Sequence, residues 1–188
     1  MSVAAFLDAN VLYPATLRSV MMELALADAF QPLWSERVHD EWTNALLRDR
    51  PDLSADKIQR TRALMEAHVE DAMVTGFEHL IDTLTLPDPD DRHVLAAAIH
   101  AGTKTIVTAN VKDFPATALV AHDIIAVTPD QFVCGLLEKH PDAVIAALRA
   151  DRASLKLPPV SADDYLIALK RVRLTETVAI LQTLGVLL

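Results

Sequence analysis

Acidic residues recur in this chain at places where a fold rarely needs them. Asp8 stands directly after the apolar run 3–7 and opens DANVLYP. Glu41 lies in SERVHDEW. Asp88, Asp90 and Asp91 crowd the start of LPDPDDRHVLAAAIHAG, and Thr108, Asn110 and Asp113 follow a second apolar run in KTIVTANVKDF. Each has a plainer reading when taken alone. Asp8 can cap a turn, Glu41 can be a solvated helix residue, and Asn110 and Asp113 suit a loop after a strand. Asp88-Pro89-Asp90-Asp91 makes a good helix start by itself, with an acid at the cap, proline at the first position and acids in the first turn. Taken jointly, they require acids at several turns for unrelated reasons. Carboxylates packed together raise one another's pKa and cost stability unless a cation neutralises them. Hard oxygen donors without cysteine select Mg²⁺ or Mn²⁺ over zinc. Such ions activate water and stabilise the attacking and leaving oxygens of a phosphodiester. In this scheme Asp8 and Asp91 bind metal directly, and Glu41 and Asp113 hold metal-bound waters or a second ion. Asn110 can offer an amide oxygen, with Asn10, Asp88 and Thr108 behind these groups.

The elements must bring these residues together. Apolar runs predict strands at 3–7, 32–34, 105–108 and 123–127, with a further short one at 74–75. Helical spacing of Val20, Met21, Leu24 and Leu26 predicts a helix over 15–30. Ser35 caps a helix to about residue 48, ended by Pro51, and Ser54 caps another over 55–70 with Ile58, Leu64 and Met65 inward. Residues 77–80 form a turn of helix. Another helix, 90–101, is stopped by Gly102, and Thr128-Pro129 starts the next. Strands alternating with helices predict an α/β fold, a three-layer α/β/α sandwich around a mostly parallel sheet. Such sheets put ligands at the carboxyl ends of their strands, where Asp8 and Asn110 belong. Asp91 shares a helix face with Leu95, Ala98 and Gly102, so it should overhang the sheet edge towards Asp8 while Asp90 faces solvent. Glu41 borders the inward stripe Val38, Trp42, Ala45 and Leu46. Beyond about residue 140 the strand signal ends, and 140–152, 162–173 and 176–184 read as helices, with 156–159 a linker. The chain divides into an α/β domain, 1–139, and a helical C-terminal extension, 140–188.

Composition limits the partners. With 188 residues and net charge −9, the chain cannot hold nucleic acid by overall charge, and contacts must come from local cations or metal. Arg18, Arg48, Arg50, Lys57 and Arg92 are the candidates for phosphate. The single cysteine, Cys134, excludes a disulfide within the chain and reads as a buried small hydrophobe. There is no secretory signal and no apolar stretch of membrane-spanning length, so the expected location is the cytoplasm, with no membrane partner.

These residues resemble the PIN-domain family of metal-dependent ribonucleases, in particular bacterial VapC-type toxins. The resemblance covers roughly residues 3–128. It rests on FLDANVL, Glu41, DPDDRHVLAAAIHAG and IVTANVKDF in that order and spacing. The tail from TPDQF through EKHPDAVIAALRADRASLKLPPVSADDYLIAL is similar to the helical extension of one VapC subgroup. The resemblance implies an α/β/α sandwich, Mg²⁺ or Mn²⁺, RNA cleavage, a homodimer and neutralisation by a VapB-type antitoxin. By position, Asp8, Glu41 and Asp91 match the family's first three acids. The fourth place holds Asn110, with Asp113 nearby.

Other readings fit less well. A phosphatase that uses an Asp after its first strand needs a second acid two residues on, where this chain has Asn10. A receiver domain needs paired acids there. GxxxxGK[ST] and GxGxxG are absent, and the seven histidines show neither HxxxH nor HExxH spacing. The remaining alternative is a PIN fold that binds RNA or protein without cutting, which only Asn110 favours.

Overall fold

The first apolar run forms β1 (Val3–Leu7), and its last three residues are buried. In the computed structural model, which describes residues 3–156, 158–186 and 188, β1 is flanked on both sides. The sheet order is β2-β1-β3-β4, with β2 (Phe30–Leu33), β3 (Thr105–Val107) and β4 (Ile125–Val127). All three pairings are parallel, as alternating strands and helices require. β2 starts earlier than expected because Phe30 pairs with Val3. Pro32 has no N–H, and it sits on this edge strand, where a missing donor is tolerated. The expected strand near 74–75 is a single bridge between Trp34 and Met73.

Between the strands run α1 (Ala9–Leu12), α2 (Ala15–Leu26), α3 (Glu36–Asp49), α4 (Ala55–His68) and α5 (Glu78–Ile81). They are followed by α6 (Arg92–His100), α7 (Ala116–Leu119) and α8 (Pro129–Lys139). The result is a three-layer α/β/α sandwich, with α6 packed on β1 and β3 and α2 on β2. The helix starts follow the sequence signals. Ser35 accepts from the Val38 amide at 3.3 Å and Ser54 from the Lys57 amide at 3.3 Å. Thr128 and Gln131 form a reciprocal capping box, with bonds of 3.2 and 2.9 Å. α2 ends before the expected residue 30 because Asp28 takes a left-handed φ of 55° and turns the chain into β2. Gly102 stops α6 with φ of 67°.

Three more helices complete the chain, α9 (Pro141–Ser154), α10 (Ala162–Arg171) and α11 (Thr175–Thr183). Leu157, in the linker before α10, lies outside the described residues, as do Met1, Ser2 and Leu187. α9 packs on α2, and α11 packs on α8. Val144, Leu148, Leu169, Val178 and Leu181 are buried in the same core as Phe6, Val11 and Leu24. Two expectations of burial need correction. Leu64 is half exposed, because α4 turns only Ile58 and Met65 fully inward. Cys134 is half-buried, its Sγ 3.5 Å from Thr177 Oγ1. Among the described residues no helix is long and apolar enough to cross a membrane.

Candidate active site

The strand order fixes where a site should form. From β1 the chain first crosses to β2 on one side, and β3 and β4 are added on the other. The topological switch therefore lies between β1 and β3, and the crevice beyond their carboxyl ends is the expected ligand position. The register pairs Leu7 with Val107, so Asp8 and Thr108 leave the sheet side by side. The Asp8 amide donates to the Val107 carbonyl at 3.0 Å.

The Asp8 carboxylate is 5% exposed and held by three donors. Oδ1 accepts the Ala9 amide at 2.6 Å, which caps α1. Oδ2 accepts the Thr108 hydroxyl at 2.6 Å and the Asn10 amide nitrogen at 2.5 Å. Asn10 is itself fixed, because its Oδ1 accepts the Ala109 amide at 2.8 Å and its Nδ2 also reaches Thr108 Oγ1 at 3.0 Å. Thr108 Oγ1 additionally accepts the Asn110 amide at 3.0 Å. Burial pushes the Asp8 carboxyl up, the Thr108 and Ala9 hydrogen bonds pull it down, and the Glu41 charge raises it again.

Asp91 follows from the helix start predicted for 88–91. Asp88 caps a single 3-10 turn, Pro89–Asp91, by accepting the Asp90 amide at 2.9 Å. This turn leads directly into α6. It leaves Asp90 exposed and Asp91 half-buried, as the face argument required. The Asp91 carboxyl is pushed up to about 6, first by burial and then by the charges of Asp8, Asp88 and Asp113. These acids therefore share one electrostatic neighbourhood. Glu41 joins it from α3. Its Oε1 is 3.2 Å from Arg37 Nε and 2.9 Å from His93 Nε2, whereas Oε2 makes no hydrogen bond among the described residues. Asp113 is half-buried in the short turn Val111–Asp113, and Asn110 is exposed at the start of that turn.

His93 is the participant that sequence reasoning missed. It is 1% exposed and links Glu41 to α6, and its Nδ1 is buried without a hydrogen-bond partner. Two residues after Asp91 on a helix it reads as core, and only the approach of α3 makes it a partner of Glu41. The candidate phosphate contacts are placed unevenly. Arg18 is turned into the fold, donating to the Leu12 and Tyr13 carbonyls and stacking over Trp42 at 4.8 Å. Arg48 pairs with Asp49 and Arg50 with Asp52. Arg92 is half-buried and donates to the Pro89 carbonyl at 2.9 Å, and Lys57 is exposed on the first turn of α4.

The acids suit a hard divalent cation in donor type, and among the described residues Asp8 and Asp91 have no ion-pair partner, whereas Glu41 is paired with Arg37. Asp8 uses three of about four acceptor positions on its two oxygens, which leaves capacity on Oδ1. The side chains as they stand do not form a closed cage. Among the described residues no group of three His, Cys, Asp or Glu side chains is arranged to hold a metal ion unaided. A site completed by water and substrate oxygens is the usual case for Mg²⁺, which keeps several waters. One cavity of about 440 Å³ lies between α2 and α4, lined by Met22, Leu26 and Leu64, and includes none of these acids. Another, of about 370 Å³, opens beside Asn10 and Ala109.

Comparison with known proteins agrees with this geometry. Residues 129–183 match the family described as VapC50 C-terminal domain. A protein of Mycobacterium tuberculosis (strain ATCC 25618 / H37Rv), named "Putative ribonuclease VapC50", is 38% identical over 79 residues. That stretch covers 42% of this chain and 47% of the relative, so about half the length of the curated relative is matched. No solved structure matches the chain. Residues 4–112, more than half of the chain and all of the elements that carry Asp8, Glu41 and Asp91, match the PIN domain family, and the chain belongs to that family.

Proposed function

We propose that the protein is a metal-dependent endoribonuclease and the toxin of a toxin–antitoxin pair. The observation that carries this reading is the convergence of Asp8, Asp91, Glu41 and Asp113 at the switch point of a parallel sheet, with no lysine or arginine paired with Asp8 or Asp91 among the described residues. Asp8 and Asp91 would hold Mg²⁺ or Mn²⁺, and Glu41 and Asp113 would hold its waters. A bound ion of this kind supplies an activated water and neutralises charge on the phosphodiester oxygens. The chain's own residues supply position. Asn10 and Thr108 fix the rotamer of Asp8, as outer partners of metal ligands do. His93 and Arg37 hold Glu41 Oε1 and leave Oε2 without a hydrogen bond among the described residues. Asn110 would offer its amide oxygen at the edge where the family's fourth acid stands. The name of the relative and the VapC50-type C-terminal segment support an RNA substrate and a VapB-type antitoxin partner. A homodimer and a cytoplasmic location follow from the same kinship.

The test is cleavage of total cellular RNA by the purified chain with Mg²⁺, with Mn²⁺ and with EDTA, beside Asp8→Asn. Metal-dependent fragments that disappear in the variant are the expected result. A folded protein freed of antitoxin that cuts nothing under any condition would leave the second reading, a PIN fold that binds without cutting, for which Asn110 is the favouring observation.

A further inference from the structure

A chain of net charge −9 that cuts a polyanion must present cations somewhere beside its acids. Most arginines near the acidic face are already committed. Arg37 is paired with Glu41, Arg62 with Glu36, Asp40 and Glu66, and Arg18 with backbone carbonyls. Two are not. Arg171 ends α10 and Arg173 follows it; both are exposed, and neither makes a hydrogen bond or ion pair among the described residues. Both line the cavity of about 370 Å³ that is also lined by Asn10 and Ala109. Asn10 is the side chain that holds Asp8, so this groove starts one residue from the acids.

Three details define what the groove accepts. Its one acid, Asp130, is turned away to α11, where its oxygens accept the Glu176 amide at 2.8 Å, the Thr177 amide at 2.9 Å and the Thr177 hydroxyl at 2.7 Å. Neither guanidinium forms an ion pair with it among the described residues. The floor is apolar, formed by Pro14, Leu17 and Val172, and offers a base or ribose a dry surface. Arg173 has φ of 65°, and among the described residues it is the one non-glycine with positive φ that is not aspartate. A glycine would adopt that turn more easily, yet the position carries an arginine that lines the groove.

We propose that this groove is a subsite for the single-stranded RNA flanking the cleaved bond, with Arg171 and Arg173 of the C-terminal helices contacting its phosphates. The inference rests on the nuclease reading above and extends it, giving the C-terminal extension a substrate-positioning role. Charge complementarity and continuity with Asn10 favour RNA over a protein segment, because two unpaired cations beside an acidic centre match a strand that must pass both.

The test is the double variant Arg171→Ala/Arg173→Ala beside the parent, measured in two ways. Cleavage of a short single-stranded RNA should show KM raised about tenfold or more with kcat changed less than about twofold. Binding of the same RNA without divalent metal, followed against salt, should show a slope reduced by about 1.4, because each phosphate contact on a single strand contributes about 0.7. Arg171→Lys/Arg173→Lys should recover much of the slope, since the phosphate contact needs charge. A parent that cuts RNA beside a double variant with the same KM and slope overturns the subsite and leaves the nuclease standing. A parent that neither cuts nor binds RNA overturns both. If the double variant loses affinity for antitoxin while RNA binding is unchanged, the groove belongs to the protein partner and the proposal is wrong.

Discussion

At the scale of single residues, Thr108 does the most with the least. Its hydroxyl donates to Asp8 Oδ2 and accepts from Asn10 Nδ2 and the Asn110 amide. Thr108→Val keeps the shape and removes all three bonds. We expect metal-dependent activity or metal affinity to fall about 10- to 100-fold, as when outer partners of ligands are lost. Stability should drop by about 1–3 kcal/mol for the unsatisfied groups left behind. Activity assays and denaturant titration check the two effects separately. His39 yields a pH prediction. It is fully buried, Trp42 Nε1 donates to its Nδ1 at 2.9 Å, and burial followed by the Arg62 charge lowers its pKa to about 4. A ring whose Nδ1 accepts is the neutral, Nε2-protonated form. Because the folded pKa lies below the unfolded 6.5, the unfolded chain binds the extra proton between those values. The contribution is therefore complete above pH 6.5 and is lost as pH falls towards 4, with a ceiling of about 3 kcal/mol. His39→Gln should flatten that limb of the stability–pH curve, and an unchanged limb would assign the acid sensitivity elsewhere. Residues were unevenly legible in the sequence. Asp8 and Asp91 could be placed because strand end and helix face are local properties. His39 and His93 could not, because their partners Trp42 and Glu41 matter only once α3 has packed.

At the scale of elements, local signals fixed beginnings better than ends or neighbours. Ser35, Ser54 and Thr128 cap where their types predict, and Asp88-Pro89 starts the turn before α6. β2 begins at Phe30 rather than at 32, because pairing with β1, a non-local event, decides how far a strand extends. The docking of α9 and α10 was equally hidden. Asp151 is 1% exposed on α9; its Oδ2 accepts the Tyr165 hydroxyl at 2.5 Å, and its Oδ1 accepts Ser19 of α2. In the sequence Asp151 is one acid in RADRAS and gives no hint of burial. In the structure it joins three helices. Tyr165→Phe should cost about 1–3 kcal/mol, because it leaves a buried carboxylate one donor short. Thermal unfolding measures this. A neutral effect would mean that water replaces the phenol.

At the scale of the whole molecule, a PIN-domain part and a helical extension are distinct in sequence, and the structure joins them through a shared core. α9 packs along α2, which in turn covers β2, and α11 packs along α8. Val144, Leu148, Leu169 and Val178 are each fully buried. Removing the extension would uncover apolar surface on α2 and α8, together with Ser19, which bonds Asp151. Apolar burial contributes about 25 cal/mol per Å², and a single domain has only about 5–15 kcal/mol of stability to lose. Deleting several fully buried aliphatic side chains at about 1.5–3 kcal/mol each reaches that total. The chain should therefore unfold in one transition, with tryptophan fluorescence, which reports Trp34 and Trp42 in the sheet-bearing part, coinciding with far-UV circular dichroism, which is dominated by all the helices. A chain cut after residue 139 should be insoluble or molten, and lost cleavage in it would report the missing core rather than a missing contact. Two separated transitions, or a cut chain that stays folded with native stability, would show that the extension is an independent unit. The groove arginines, Arg171 and Arg173, would then be held against the site by weaker packing than this core provides.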